Sequence, residues 1–241
     1  MQLYVVDNYQ QMSEKAAGVV ANQVASKNDS VLGLATGSTP EGMYQELINL
    51  HRQGTVDFSR VTTFNLDEYI GLSPDHPQSY NHYMHSKLFN HININPEHIN
   101  IPSGVADDIE AACNEYEQKI SAVGGIDLQL LGIGVNGHIG FNEPAESLPT
   151  FTHRVNLSAA TIEANSRFFD SQAEVPRQAI TMGLGSIMHA RRILLLASGR
   201  NKAEAIRNTI NGKIATQVPA SLLQLHRELI LIVDQEAAAL I

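Results

Sequence analysis

Short apolar runs alternate with segments of helical periodicity along this chain, and this alternation most limits the folds open to it. The runs have strand length and are bounded by turn residues. The strand candidates are Leu3–Val6, Val31–Ala35, Val61–Asn65, Ile126–Leu131, Ala179–Met182, Arg192–Ala197 and Leu229–Val233. Alternating strands and helices favour an α/β fold with a mostly parallel sheet and helices on both faces.

Helices are predicted between these strands from apolar residues three and four positions apart. Thr39 is expected to cap one of them, with Pro40 in its first turn and Gly54 as its stop. A further helix is expected to begin near Lys202 and run through Ile210. Three other helices are predicted from apolar residues that lie within them: Met12, Ala16, Val20 and Val24 in the first, Tyr80, Met84 and Leu88 in the second, and Ile109, Cys113, Tyr116 and Ile120 in the third.

The chain has 241 residues, 43% of them hydrophobic, with no internal repeat, so one domain over residues 1–241 is expected. A net charge of −9 disfavours nucleic-acid binding, which needs a basic surface. Cys113 is the single cysteine and is interpreted as a core residue, so a reducing compartment fits. No signal peptide or membrane-spanning run is recognised, and a cytoplasmic protein is expected.

Ligands of parallel α/β sheets bind beyond the carboxyl ends of the strands. Four loops follow strand candidates directly and are therefore expected at one edge of the sheet. They begin at Thr36, Asp67, Gly132 and Ser198. Residues far apart in the chain would share a pocket there.

The loop from Gly132 to Pro144 carries four glycines, with Asn136, His138 and Glu143 among them. A carboxylate near a histidine selects its tautomer and makes it a competent proton shuttle. The alternative is a glycine-rich turn with a surface histidine. The segment from Ser147 to Asn165 is interpreted as a flap that could close over such a site.

The Thr36–Pro40 turn offers hydroxyls and the start of a helix, which together suit a phosphate group. It is not a Walker loop, and a simple helix cap is the alternative. Lys202 and Arg167 could add positive charge, or they could be ordinary surface cations. Asp67 and Glu68 end the Val61–Asn65 strand candidate. One of these acids could be a base and the other a structural partner, or Asp67 could simply form a turn.

Neither a cysteine cluster nor a histidine pair at ligand spacing occurs in these loops, so no metal site is expected. The residues therefore indicate a phosphorylated small molecule and proton-transfer chemistry without a metal or cofactor.

Four segments together resemble glucosamine-6-phosphate deaminase: LATGSTP at 34–40, TFNLDEYIGL at 63–72, GIGVNGHIGFNEP at 132–144 and NSRFFD at 165–170. Their order and spacing match along nearly the whole chain. The resemblance implies a modified doubly wound, Rossmann-like fold. It also implies conversion of glucosamine 6-phosphate and water to fructose 6-phosphate and ammonia in amino-sugar catabolism, without a cofactor.

The resemblance also implies roles for individual residues. His138 would open the pyranose ring, with Asn136 and Glu143 holding and tuning it, and Asp67 would remove the proton from C2 of the open-chain sugar. The phosphate and sugar would be held by Thr36, Gly37, Ser38, Thr39, Gly137, Arg167 and Lys202.

Two positions depart from the family pattern. Asn136 stands where many members carry Asp, so it can orient its neighbours but adds no charge. Asn156 replaces the lysine of an Arg-x-Lys pair that begins at Arg154 and resembles that of hexameric members activated by N-acetylglucosamine 6-phosphate. That activation is therefore expected to be absent.

Two alternatives remain. A 6-phosphogluconolactonase has a related fold but needs no carbon-acid base at Asp67. A sugar-phosphate sensor would need a DNA-binding segment, and it would have no use for a set of proton-transfer residues.

Overall fold

The computed structural model describes residues 1–166, 169, 171 and 174–241, and strands alternate with helices through most of it. The strands are β1 (Gln2–Val6), β2 (Val31–Leu34), β3 (Thr62–Asn65), β4 (Asp67–Tyr69), β5 (Ile99–Asn100), β6 (Leu128–Leu131), β7 (His153–Asn156), β8 (Gln178–Thr181), β9 (Arg192–Ala197) and β10 (Leu229–Asp234). The α-helices are α1 (Tyr9–Ser26), α2 (Glu41–Arg52), α3 (Tyr80–Lys87), α4 (Ile109–Ala122), α5 (Ala159–Ser166), α6 (Leu184–Met188) and α7 (Ala203–Asn211).

Seven strands form one sheet in the order β1-β10-β9-β6-β2-β3-β5, and every neighbouring pair is parallel. All residues of β2, β6 and β10 are buried. Strands buried on both faces need helices on both sides, which explains their nearly continuous apolar sequences. The α/β fold with a mostly parallel sheet is confirmed.

The chain reverses its direction across the sheet after β5. The connections from β1 through α1, α2 and α3 run towards β5, whereas those after β5 run back towards β10. Right-handed crossovers therefore put α1, α2 and α3 on one face and α4, α6 and α7 on the other. The order reverses between β2 and β6, and the loops that follow these two strands lie at this switch point, where doubly wound sheets bind ligands.

A second, antiparallel sheet of three strands in the order β4-β8-β7 corrects three predictions. Asp67 lies in strand β4, whereas a loop was predicted. The strand predicted at Ala179–Met182 exists as β8, but it belongs to this second sheet. The predicted flap over Ser147–Asn165 contains strand β7 and most of α5, so part of it is regular structure.

Several helix boundaries follow from local chemistry. The side chains of Asn8 and Asp108 cap α1 and α4 by accepting N–H groups of the first turn. The prediction that Thr39 caps α2 is wrong, because Pro40 occupies that position and makes no side-chain cap bond. Cys113 is buried, as predicted. Among the described residues, no helix is long and apolar enough to cross a membrane.

Candidate active site

The turn after β2 contains Thr36, Gly37, Ser38 and Thr39 and leads into α2. Gly37 has a φ of 95°, a left-handed conformation that side chains of L-residues rarely adopt. A Cβ at Gly37 would meet nothing within 4 Å, so glycine is required by the backbone conformation and not by crowding. The turn therefore depends on glycine for its path at the switch point.

The loop after β6 folds back on itself so that His138 lies over Gly134. The Gly134 N–H donates to the carbonyl of His138 at 2.9 Å, and the Gly137 N–H donates to the carbonyl of Gly134 at 3.0 Å. A Cβ at Gly134 would overlap the imidazole ring of His138. Glycine at this position therefore makes the space that the ring fills.

Glu143 is the centre of the polar contacts in this loop. Its Oε2 atom lies 3.3 Å from Nδ1 of His138, a close ionic contact without the alignment of a full hydrogen bond. Asn136 Nδ2 donates to the same oxygen at 2.7 Å. The other oxygen, Oε1, accepts hydrogen bonds from the hydroxyls of Thr161 at 2.6 Å and Ser158 at 3.3 Å.

These contacts keep Glu143 ionised. Burial by itself would raise the pKa of this carboxyl, but His138, Thr161 and Asn136 outweigh burial and lower its pKa to about 2. Asn136 also accepts the backbone N–H of His138 through Oδ1 at 3.2 Å. It thus bridges the histidine backbone and the carboxylate. An aspartate at 136 would place a second negative charge beside Glu143.

Asp67 has the opposite environment. Its side chain is 6% exposed, and among the described residues no hydrogen-bond donor reaches its carboxyl group. Burial raises its pKa to about 8, and the charge of neighbouring Glu68 adds to this rise. A carboxylate without hydrogen bonds in an apolar setting is a much stronger base than one in water.

Glu68 accepts three backbone N–H groups, those of Tyr69, Tyr80 and Asn81, at 2.8 to 2.9 Å. Two of these N–H groups belong to the first turn of α3. Glu68 thereby attaches the start of this helix to β4, while Asp67 next to it keeps its carboxyl group free of donors.

The second sheet joins Asp67 to the His138 loop. Thr181 pairs with Asp67 across β4 and β8, and its hydroxyl accepts the N–H of Phe141 at 3.0 Å. Asn142 donates from Nδ2 to the carbonyl of Met182 at 2.9 Å. A Cβ at Gly140 would lie 3.8 Å from Oδ2 of Asp67. Two loops predicted separately are therefore joined through Thr181, and Gly140 lies beside the Asp67 carboxyl group.

The turn after β9 approaches the turn after β2. Ser198, Ser38 and Thr39 help to line one surface cavity of about 380 Å³. Asp234 at the end of β10 accepts the Ser198 hydroxyl and the Gly199 N–H, and so orients the segment that carries Lys202. Lys202 immediately precedes α7, as predicted. Arg167 lies outside the described residues.

Sequence reasoning missed several residues of this arrangement: Thr181, Ser158, Thr161 and Asp234. Ser158 and Thr161 lie within the predicted flap, where hydroxyl residues were noted without a role. Thr181 and Asp234 each end a strand, and this position at the sheet edge was the signal that could have identified them. Among the described residues, no three histidine, cysteine or acidic side chains are grouped as metal ligands would be.

Comparison with known proteins gives a consistent result. A family model described as glucosamine-6-phosphate isomerases/6-phosphogluconolactonase matches residues 7–231. Proteins named glucosamine-6-phosphate deaminase are similar to this chain at 60% identity in Thermoanaerobacter sp. (100% of this chain and 95% of that protein) and in Halothermothrix orenii (100% of both).

Solved structures support the same grouping. The structure of a monomeric glucosamine-6-phosphate deaminase is 48% identical, covers 100% of both chains and superimposes with a TM-score of 0.97. The 6-phosphogluconolactonase of Thermotoga maritima has a TM-score of 0.77 at 19% identity over 97% of this chain and 99% of that chain, which shows the shared fold alone. The chain belongs to the glucosamine-6-phosphate isomerase/6-phosphogluconolactonase family.

Proposed function

We infer that this chain is a glucosamine-6-phosphate deaminase, an enzyme that converts glucosamine 6-phosphate and water to fructose 6-phosphate and ammonia. Its 60% identity to proteins of that name over the whole chain supports this activity. The structural observation that carries the inference is a buried Asp67 with a raised pKa, whose strand partner Thr181 is hydrogen-bonded to the loop that holds His138 and Glu143.

We propose that His138 opens the sugar ring. The imidazole takes the proton of the anomeric hydroxyl and returns a proton to the ring oxygen as the C1–O5 bond breaks, which leaves an open-chain aldehyde. The ionised Glu143 beside Nδ1 stabilises the protonated imidazole between these two transfers. Asn136 keeps Glu143 in place through its 2.7 Å hydrogen bond.

Asp67 then acts as the base at C2. It removes the C2 proton, and a proton moves to the C1 oxygen, which gives an enolamine. Return of a proton to C1 forms the C2 imine of fructose 6-phosphate, and addition of water releases ammonia. The raised pKa of Asp67 suits this step, because a stronger base makes abstraction from carbon less unfavourable.

The phosphate group is proposed to bind the turn at Thr36, Gly37, Ser38 and Thr39, with Arg167, Lys202 and the Gly137 segment completing the site. The shared cavity of Ser38, Thr39 and Ser198 supports this arrangement. Anchoring the phosphate would hold C1, C2 and O5 near the acid–base groups.

We describe the activity as an isomerisation with deamination and not as a hydrolysis, because the family description and the relatives' names give isomerases and deaminases. A cytoplasmic enzyme of amino-sugar catabolism, without nucleic-acid partners, fits the net charge of −9 and the single cysteine. Activation by N-acetylglucosamine 6-phosphate is proposed to be absent. Asn156 Oδ1 accepts a hydrogen bond from Gln178 Nε2 at 2.8 Å, and Arg154 Nε lies 3.8 Å from Glu110 Oε1 in an ion pair.

The test is an assay of the purified protein with glucosamine 6-phosphate in buffer that contains EDTA. Fructose 6-phosphate is coupled to NADPH formation and ammonia is measured separately. We expect equal release of both products, and Asp67→Asn should lower kcat by a factor of about 10² to 10⁴. Asp29→Asn, at an exposed aspartate before β2, is the matched control and should behave as the unaltered chain.

Hydrolysis of 6-phosphogluconolactone that survives Asp67→Asn, together with no release of ammonia, would instead make the chain a lactonase. Tight binding of glucosamine 6-phosphate without turnover would indicate a sensor.

A further inference from the structure

Three consecutive helices each send a tyrosine hydroxyl to the turn that follows β2. Tyr44 of α2 donates to the carbonyl of Ala35. Tyr83 of α3 donates to the carbonyl of Gly37 at 2.7 Å, and Tyr9 of α1 donates to the carbonyl of Ser38 at 2.9 Å. Three of the four carbonyls from Ala35 to Ser38 are thus bonded to side chains that lie on one face of the main sheet.

The amides of the same turn behave differently. Within the part of the chain that the structure describes, the N–H groups of Thr36, Gly37, Ser38 and Thr39 have no hydrogen-bond acceptor. A turn whose carbonyls are paired and whose N–H groups are unpaired is suited to a negatively charged ligand. The opposite orientation of the same peptides would direct carbonyl oxygens at the anion and repel it.

Gly37 is the position at which the peptide groups of this turn are least restricted in their orientation. Glycine has no side chain to restrict its backbone, and nothing lies within 4 Å of the Cβ position at Gly37. The two peptides that flank Gly37, whose φ is 95°, can therefore rotate more easily than peptides that flank other residue types. The hydrogen bond from Tyr83 acts on the carbonyl of Gly37 itself, and the bond from Tyr9 acts on the next carbonyl. Tyr9 also accepts the N–H of Gly42 at 2.8 Å, which connects the turn to the first turn of α2.

We propose that Tyr9, Tyr44 and Tyr83 form a tyrosine clamp, a set of positioning residues that orients the turn so that its N–H groups bind the phosphate of the substrate. This proposal rests on the proposed function, because it assigns the clamp to the phosphate end of that same site. The clamp touches no reacting atom. It would act by removing the entropic cost of ordering the turn when the substrate binds.

Packing alone is the competing explanation for these tyrosines. Tyr44 is fully buried and its hydroxyl needs a partner in any case, so it does not separate the two explanations. Tyr9 and Tyr83 are only half-buried, and water could satisfy their hydroxyls if these were not held by the turn. The test therefore uses Tyr9 and Tyr83.

The variants are Tyr9→Phe, Tyr83→Phe and the double variant, which remove the hydroxyls and keep the rings. Tyr4→Phe is the matched control, since among the described residues the Tyr4 hydroxyl bonds only to its neighbour Gln2 on the exposed edge strand β1. Calorimetry would give the Kd for fructose 6-phosphate, for inorganic phosphate and for glucosamine, which has no phosphate. Steady-state kinetics with glucosamine 6-phosphate would give kcat and KM, and thermal unfolding would give Tm.

We expect Tyr83→Phe to raise the Kd for fructose 6-phosphate and inorganic phosphate about three- to tenfold, the range for one lost hydrogen bond. Tyr9→Phe also loses the bond from the Gly42 N–H and should raise these Kd values at least as much. The Kd for glucosamine should stay constant. KM should rise by the same factor as the Kd for fructose 6-phosphate, with kcat changed less than about twofold, because the bond acts in binding and not in the proton transfers. Tyr4→Phe should match the unaltered chain.

Unchanged phosphate affinity in the double variant would overturn the clamp, and so would a lower Tm accompanied by equal weakening for all three ligands. The proposed function can fail separately. Suppose that the unaltered chain releases no ammonia, but the Kd for inorganic phosphate still rises in Tyr83→Phe. This result would support the tyrosine clamp and contradict the proposed reaction. Normal deamination with unaltered KM in every variant would leave the reaction standing and remove the clamp.

Discussion

Asp67 and Thr181 are paired directly across the antiparallel strands β4 and β8, and the hydroxyl of the same Thr181 accepts the N–H of Phe141 at 3.0 Å. The buried side chain of Thr181 thereby connects the strand that carries Asp67, the proposed base at C2, to the loop that carries His138, the residue proposed to open the ring. The relative position of the two acid–base groups depends on this connection, and the predictions below follow from the contacts around it.

Thr181→Val should lower both stability and turnover. The substitution keeps the shape but leaves the buried N–H of Phe141 without a partner, which costs about 1–3 kcal/mol. Urea unfolding would measure this loss, and kcat should fall as the loop moves relative to Asp67. Thr181→Ser restores the hydroxyl and should recover most of kcat. Equal kcat for the Val and Ser variants would contradict the role of this hydroxyl.

The pH–rate profile should report the ionisation of Asp67. Burial and the neighbouring Glu68 raise its pKa to about 8, and only the ionised form can accept the C2 proton. We expect kcat/KM to rise with pH and to level off above pH 8. Measurement between pH 5.5 and 9.5 checks this, and a profile already flat at pH 6 would exclude a base with so high a pKa.

Asp67→Asn should stabilise the protein at alkaline pH. The pKa of Asp67 in the folded state, about 8, lies above its ordinary value of 3.8, so the contribution of Asp67 to stability is fully present below pH 3.8 and is lost as pH rises towards 8. The advantage of the variant should therefore grow between pH 5 and pH 9, by on the order of a few kcal/mol.

Urea unfolding at these two pH values measures the difference. Asp57→Asn is the control, because backbone and side-chain hydrogen bonds from Ser59 and Asn93 lower the pKa of that exposed carboxyl group. It should show no gain at alkaline pH. A difference in the free energy of unfolding between Asp67→Asn and the unaltered chain that stays constant from pH 5 to pH 9 would show that the pKa of Asp67 is not raised.

Glu143→Gln should change which step limits the rate. The ionised Glu143 lies beside His138 and is proposed to support it in ring opening, and the amide cannot supply its charge. With substrate deuterated at C2, the isotope effect on kcat/KM should fall towards one, because ring opening precedes cleavage of the C2–H bond. Asp67→Glu misplaces the C2 base instead and should increase the isotope effect. An unchanged isotope effect in Glu143→Gln would show that Glu143 does not assist ring opening.

Gly134→Ala should impair catalysis through His138, because the added methyl group would overlap the imidazole ring. Displacement of a catalytic group by about 1 Å can cost on the order of a hundredfold in rate. Gly132→Ala, two residues earlier in the same loop, adds a methyl group with nothing within 4 Å and is the matched control. Similar kcat values for the two variants would show that the ring has room to move.

The inner strands β2, β6, β9 and β10 of the main sheet were recognisable from the sequence because they are buried and read as apolar runs. Leu229–Asp234 and Arg192–Ala197 are examples. The strand–helix alternation then determined a parallel sheet, and the rule for its carboxyl edge brought the Thr36, His138 and Lys202 segments to one side. The chemical character of His138 and Glu143 was also visible, because their spacing is local.

The second sheet was decided by tertiary structure. Strand β7 of this sheet alternates between half-buried and exposed residues, so it produces no apolar run that sequence periodicity can detect. Strand β5, at the edge of the main sheet, has two residues and was missed for its shortness. Asp67 is polar and therefore suggested a turn, yet it pairs with Thr181 from a distant part of the chain.

The sequence alone thus determined which residues could transfer protons and at which edge of the sheet they would lie. The tertiary structure decided their ionisation. Asp67 and Glu143 are both carboxylic acids, but one is buried without donors and has a raised pKa, whereas the other is held by Asn136, Thr161 and His138 and has a lowered pKa. The pKa of a carboxyl group depends on its solvation and its neighbours, and long-range folding supplies both.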